Sequence, residues 1–382
     1  MIVQQFLDWM EHAPVVRRAD AISALVRSWL HDDLEGDVRT QAEAAFTIIL
    51  DDSSPIVRQS LADALAHSPK APRHIILALA VDQAEIAATV LRASPVFVDA
   101  ELVDLVATLQ QSAQVAIAER RKVSSCVAAA IAEVGSRDAI LALCANKGAE
   151  IANFSLKRII ERFGDKAPVR ECLLARSKLP VDLRQMLIAR LSDSLSAWAI
   201  DRAWMRPERA ELVTREARDR ATVNLANDVD AKGLWALVEH LRGSGQLTTA
   251  LILRAICAGN LSFFEVALSC LSGLPLDRVG ALIESRRAAS FRAVYAKAGL
   301  PEPAFAAFFA AVEAQLDLDG EMSGRGRAAL ANRLIETVLE RYRDGNDDAM
   351  DQLMVMLRRL AADSAREAAR EYIDNERRIR AA

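Results

Sequence analysis

The sequence predicts an all-α protein, and three observations lead there. Hydrophobic residues make up 52% of the 382 positions while aromatic ones make up only 5%. A core must therefore come from Ala, Leu, Val and Ile, which suits closely approaching helices better than sheets. Glycine (15) and proline (11) are sparse for this length, which favours long regular segments over many tight turns. Finally, apolar residues recur at helical spacing within segments that themselves recur along the chain.

The recurring segments run from Asp51 to Leu65, Val81 to Leu91, Leu109 to Ala118 and Asn146 to Leu156. Aligned on one β-branched residue after each polar turn, their anchors are Val57, Ile86, Val115 and Ile151. The steps of 29, 29 and 36 residues each accommodate two short helices and two turns. The second helix of a unit is expected over Pro72–Ala80, Asp99–Ala107, Cys126–Glu133 and Ser136–Ala145. Within Asp99–Ala107, Leu102, Val103, Leu105 and Val106 keep one side apolar, opposite Asp104. Asp99 and Ser136 suit N-caps, because a side-chain oxygen there accepts an otherwise orphan amide. Pro69, Pro72 and Pro95 fall at helix boundaries, where the missing N–H costs least.

Helices are also expected at Ile2–Glu11, Val15–Leu30 and Asp37–Leu50 before the clear repeats, and from Leu183 after them. The polar stretch Asn227–Gly233 marks a boundary. Beyond it, short helices at Leu234–Leu241, Thr248–Cys257, Ser262–Leu271, Leu276–Ile283 and Ser290–Lys297 alternate with Gly, Asn or Pro. A further helix carries Phe305, Phe308 and Phe309 on one face. The tail is charged but holds two narrow apolar stripes, Leu334 to Tyr342 and Met350 to Leu360. Such stripes suit a helical hairpin docked on the body or on a second subunit. The expected organisation is a HEAT/armadillo-like α-solenoid in 1–226 (clear repeats over 35–163), a second helical domain in 227–320 and a helical hairpin tail in 321–382.

The run from Ser54 to Ala66, followed by Ser68-Pro69-Lys70-Ala71-Pro72-Arg73, resembles the N-terminal signature of the DUF2336 family of α-proteobacterial proteins. The runs Leu247–Leu268 and Phe291–Pro301 are similar to that family too, in the order it shows them. The resemblance covers roughly residues 35–315. It implies an α-helical, HEAT-like architecture in a bacterial cytoplasm. The family carries no assigned activity, so the resemblance brings no catalytic residues with it.

Charge is unevenly distributed. The chain has a net −4, which disfavours general attraction to nucleic acid. Residues 1–115 hold 8 Lys+Arg against 16 Asp+Glu, whereas 157–190 hold 9 against 4. The basic stretch offers a candidate interaction surface: Lys157, Arg158, Arg162, Lys166, Arg170, Arg176, Lys178 and Arg184. A charge run of this kind is otherwise a set of solvated helix faces. A second candidate, for an anion, is Arg286, Arg287, Arg292, Tyr295 and Lys297, with 292 and 295 three apart on a helix. Ordinary surface charge, with Tyr295 packed beside Phe291, is the competing reading.

Motifs of chemistry are missing. The five histidines are scattered without metal-ligand spacing, and no phosphate-loop, dinucleotide or nucleophile-elbow pattern occurs. Gly324-Arg325-Gly326-Arg327 reads as a polar linker. No cofactor is expected. The five cysteines form no C-x-x-C pair and read as small buried hydrophobes in a reducing cytoplasm. The N-terminus predicts no signal peptide, and no apolar run is long enough for a membrane span.

The leading expectation is a non-enzymatic scaffold or adaptor that presents a helical-repeat surface to a protein partner. One alternative is a nucleic-acid-binding or DNA-repair protein using 157–206, where Trp198, Asp201 and Trp204 adjoin the basic stretch. The acidity of the repeats and the scarcity of stacking platforms weigh against it. Another is a small-anion or ligand-sensing regulator through 234–315. The tail 321–382 is a candidate homodimer contact.

Overall fold

The computed structural model describes residues 2–31, 36–176 and 179–318, with separate positions from Glu336 onward. The described residues are all-α: twenty α-helices and one 3-10 turn at Glu302–Ala304, with no strand among them. The expected tail hairpin and the dimer contact placed on it lie outside the described residues, those separate positions excepted.

The chain divides into two compact units, Met1–Leu179 and Pro180–Ala382. The first holds twelve described helices: α1 (Ile2–His12), α2 (Val15–Leu30), α3 (Gly36–Ile49), α4 (Pro55–Leu65), α5 (Arg73–Leu79) and α6 (Ala84–Ala93), then α7 (Asp99–Thr108), α8 (Gln111–Ala118), α9 (Ser125–Val134), α10 (Arg137–Ala145), α11 (Asn153–Phe163) and α12 (Ala167–Leu174). They form two rows. In one, α2, α4, α6, α8, α10 and α12 each pack on the next. In the other, α1 packs on α3, and α7, α9 and α11 follow one another.

The first row has one repeated interior position. The third residue of α4, α6, α8, α10 and α12 is buried each time: Val57, Ile86, Ala113, Ala139 and Val169. The steps are 29, 27, 26 and 30 residues. Val57 and Ile86 are the expected anchors. Val115 lies two residues beyond the true position, and Ile151 precedes α11 in the other row. A search for β-branched residues passes over Ala113 and Ala139, where a small side chain lets helix axes come close. Ser136 caps α10 as expected, its hydroxyl accepting the Ala139 amide at 3.3 Å. Asp99 is instead the first helical residue of α7, and the Glu101 carboxylate accepts the Val98 amide at 3.1 Å.

The C-terminal ends of these helices are closed from elsewhere. Four carbonyls at the end of any α-helix lack an intrahelical donor. Arg120, just past α8, donates to the carbonyls of Leu91 and Ser94 at the end of α6. Asn146, just past α10, donates to the carbonyls of Ala118 and Arg120 at the end of α8 at 2.8 and 2.7 Å. Arg176, just past α12, donates to the Cys144 carbonyl at the end of α10 at 2.9 Å. The other row does the same: Arg162 of α11 donates to Ala132 and Gly135 at the end of α9, at 2.7 and 2.9 Å. Gln114 joins both rows, donating to the Val106 carbonyl of α7 while accepting the Ser136 amide before α10. A cation at this end also opposes the partial negative charge of the helix. Burial pulls the Arg120 side chain below the ordinary arginine pKa, a desolvation cost that the two carbonyl bonds offset.

The second unit holds α13 (Val181–Asp201), α14 (Pro207–Asn227), α15 (Ala231–Gly243), α16 (Thr249–Cys257), α17 (Leu261–Ser272), α18 (Leu276–Glu284), α19 (Ala288–Lys297) and α20 (Phe305–Leu318). It begins at Pro180, whereas the sequence places the second domain's start at 227. The reason is packing. α13 pairs with α14 and α15, and α14 packs on α16. The buried Gln185 of α13 accepts from Thr222 of α14 at 3.0 Å and donates to Gln246 beyond α15 at 3.4 Å. The polar stretch 227–233 runs from the end of α14 through a short turn into α15, which Asp230 caps by accepting the Gly233 amide at 2.8 Å. Aliphatic residues dominate the first unit's core, but the second has an aromatic centre of Phe263, Phe264, Phe291, Tyr295, Phe305 and Phe308, all buried. A low total of aromatics thus hides their concentration in one place.

Arg120→Ala removes the donor to two carbonyls and should lower the unfolding free energy of the first unit by about 2–4 kcal/mol. Arg121→Ala, on the exposed neighbour, should change it by less than about 0.5 kcal/mol. Denaturant titration followed by circular dichroism checks both.

Candidate functional site

In the first unit, α2, α4 and α6 lie side by side and leave an open groove of about 500 Å³. Its walls follow from helical spacing. Ile56, Gln59 and Asp63 of α4 lie three and four apart and so share one face, with Ser23 of α2 and Glu85 and Ile86 of α6 beside them. Ile56 is 58% exposed, an apolar floor open to solvent. The Gln59 amide donates to Asp63 at 2.7 Å and to Thr89 at 2.9 Å, which fixes its orientation. The Ser60 hydroxyl donates to the Ala19 carbonyl at 2.7 Å and also contacts Ser23. Asp63 and Glu85 make no ion pair among the described residues.

Several arginines of this unit are committed elsewhere. Arg18 pairs with Asp52. Arg58 holds both oxygens of Asp82 and the Asp52 carbonyl, and its hydrogen bond pulls the Asp82 carboxyl below the usual carboxylate pKa. Arg73 pairs with Glu101, and Arg92 with Glu119. The groove's carboxylates, Asp63 and Glu85, are exposed and take no part in these pairs. A second cleft, of about 610 Å³, is lined by Cys144, Lys147, Asn153, Leu156, Cys172 and Arg176 among others.

The basic residues expected to form an interaction surface are dispersed among structural contacts. Arg158 binds both oxygens of Glu133 at 2.8 and 2.9 Å, which lowers the Glu133 pKa. Arg162 and Arg176 close helix ends, as described, and Arg170 donates to the Gly164 carbonyl at 3.0 Å. Lys166 pairs with Asp165 at 2.8 Å. Lys157 is exposed and Arg184 half-buried, neither with an ion pair among the described residues; Lys178 lies outside them. Arginines engaged with backbone carbonyls inside the stack do not offer their guanidiniums to a partner's phosphates.

The expected anion cluster is also taken apart. Tyr295 is fully buried, and its hydroxyl donates to the Pro301 carbonyl at 2.8 Å. Arg292 points outward, 4.4 Å from the Phe305 ring centre and 3.6 Å from Glu302. Arg286 pairs with Asp317 at 2.5 Å, and Arg287 and Lys297 are exposed. Helical spacing put 292 and 295 near one another. The aromatic core claimed the tyrosine, and the arginine stayed in solvent.

The end of α13 and the turn joining it to α14 carry a cluster of exposed apolar residues. Leu191, Leu195 and Trp198 of α13 are 40%, 48% and 46% exposed, and Trp204 and Met205 in the turn 63% and 41%. The two indoles meet edge-on at 4.5 Å between ring centres, with Arg202 5.8 Å from Trp198. Ala203 takes a left-handed φ of 53°, and the Trp204 amide reaches back to the Ala199 carbonyl at 3.0 Å, so the chain reverses within five residues. Asp201 is exposed, between the two tryptophans in sequence.

The profile of one protein family, described as "Uncharacterised protein conserved in bacteria (DUF2336)", matches residues 86–346. The chain belongs to the DUF2336 family. No curated protein and no solved structure matches it. The DUF2336 match takes in the α13–α14 hairpin and the whole aromatic core, along with the later two of the three resembling runs. The earliest run, from Ser54, and every groove residue before Ile86 precede it.

Among the described residues of this DUF2336 chain, no group of three or more His, Cys, Asp or Glu could hold a metal ion. No described helix is long and apolar enough to cross a membrane. The cysteines differ from one another more than their apolar settings suggest: Cys144 and Cys257 are buried, Cys172 and Cys270 half-buried and Cys126 exposed. Burial pushes the thiols of Cys144 and Cys257 up to about 12. The groove went unseen in the sequence because its residues come from three helices. Only the acidity of residues 1–115 hinted at it.

A thiol reagent at mildly alkaline pH should therefore modify Cys126 first and leave Cys144 and Cys257 unmodified until the chain is unfolded. Peptide mapping by mass spectrometry reads the order directly; early labelling of Cys257 would contradict the buried core.

Proposed function

We propose that the protein is a non-enzymatic interaction scaffold in the bacterial cytoplasm, built on a HEAT-like stack whose first row of helices receives a protein partner. The observation that carries this reading is the open groove across α2, α4 and α6. It combines an exposed apolar floor at Ile56 with exposed carboxylates at Asp63 and Glu85 that make no ion pair among the described residues. Protein interfaces typically join an apolar centre to a polar rim, and unpaired carboxylates select partners by charge. The matching partner surface is basic with an aliphatic or aromatic side chain at its middle.

Two further observations support a protein partner over nucleic acid. The groove is acidic, so a phosphate backbone is repelled from it. The arginines of 157–176 are bound to carbonyls and carboxylates within the stack, which leaves no continuous cationic track among the described residues. An anion-sensing role through 234–315 loses its best residues to the aromatic core and to Asp317 and Glu302.

The deciding experiment compares wild-type protein with the variant Asp63→Lys/Glu85→Lys as bait in its native cytoplasm. Both positions are exposed, so the fold should survive, as circular dichroism would verify. The reading expects a stoichiometric protein partner with the wild type and its loss by at least about tenfold with the variant. A partner retained at full yield, or none at all, defeats it.

A further inference from the structure

α13 is covered differently along its length. Its first half, from Val181 to Ala189, meets both α14 and α15, and Val181, Leu183, Gln185, Leu187 and Ala189 are all buried. In its second half only Ser192 is buried. There Asp193 pairs with Arg218 of α14 at 3.8 Å. The opposite side carries Leu191, Leu195 and Trp198, at a spacing of four and three, open to solvent. That spacing is the seam of a helix that expects another helix. Trp204 extends the seam by resting against Trp198.

The charges beside the seam identify the missing helix. Arg190 and Asp201 are both exposed, and neither makes an ion pair among the described residues. They are eleven residues apart, about three helical turns and roughly 16 Å, and so lie on the same flank of the seam. When two such helices pack antiparallel, residues on the same flank face one another. A two-fold axis through Leu195 then brings Leu191 against Trp198 of the partner subunit, and Leu195 against Leu195 of the partner subunit. The same axis sets Arg190 opposite Asp201 of the partner subunit, and by symmetry does so twice. The seam is complementary to itself, as an isologous two-fold contact requires.

We propose that the protein forms a homodimer through the outer half of α13, the two copies of α13 packing antiparallel with α14 of each copy on the side away from the contact. The apolar surface available is on the order of 1,000 Å² over both copies, the low end for a specific interface. The dimer is therefore concentration-dependent rather than permanent. It uses a surface in the second unit and stands independently of the groove in the first.

The test is sedimentation equilibrium of the full chain across a wide concentration range. Wild-type protein should show a monomer–dimer equilibrium, and Leu195→Arg should remain monomeric throughout. Arg190→Asp and Asp201→Arg should each weaken the dimer by about tenfold, and the double exchange Arg190→Asp/Asp201→Arg should restore it to within about threefold of wild type. All these positions are exposed, so unchanged circular dichroism separates loss of contact from loss of fold. A wild type that is monomeric at every concentration overturns the proposal. A dimer that survives Leu195→Arg overturns it as well, since it is then held elsewhere, as in 321–382. Failure of the double exchange to recover overturns the antiparallel register.

Discussion

Closure of helix ends is the constraint on which the first unit depends. An α-helix leaves four carbonyls without internal donors whatever its length. In a helix of eight residues such as α8, that is half of them. A stack of such helices cannot bury its ends against one another unless something donates to them, because an unmet buried carbonyl costs as much as a lost hydrogen bond. Here the donor belongs to the neighbouring repeat: Arg120 serves α6, Asn146 serves α8, Arg176 serves α10 and Arg162 serves α9. The row is joined by its apolar third positions on the inside and by these donors at its ends. Spacing, packing and capping repeat together, near thirty residues, because they are consequences of one unit.

This arrangement also accounts for the way charge is distributed on the surface. Arginines are the cations best suited to binding carbonyls and carboxylates in fixed geometry, and the stack takes them inward. Arg18 and Arg58 go to Asp52 and Asp82, Arg73, Arg92 and Arg158 go to glutamates, and Arg120, Arg162 and Arg176 go to backbone. Acidic residues such as Asp63 and Glu85 are left on the outside. The acidity of the early repeats is thus partly a by-product of how the repeats are fastened, and it falls across the groove between α2, α4 and α6. The apparent basic stretch beyond them dissolves by the same logic.

The helical class and the presence of repeats were legible in composition and periodicity, since both report backbone geometry directly. Their register was legible only where the interior residue was β-branched, as at Val57 and Ile86. Ala113 and Ala139 do the same task with too little side chain to be noticed. The capping arginines were visible as charges but not as caps, because a cap is defined by a carbonyl 26 to 32 residues away. Trp198 and Trp204 were noticed for their chemistry, yet their exposure and mutual contact are set by the tertiary structure around the α13–α14 turn. Tyr295 shows the reverse case: a residue singled out beside charges became the centre of an aromatic core.

The direction of the caps has a bearing on how the chain is born. Every one of Arg120, Asn146, Arg162 and Arg176 reaches backward along the sequence. During synthesis a helix such as α6 emerges from the ribosome with its end open and stays so until Arg120 follows. The ends of α6, α8, α9 and α10 are therefore closed only once the following repeat has been made. A nascent chain halted between Ala93 and Arg120 would carry the end of α6 still open.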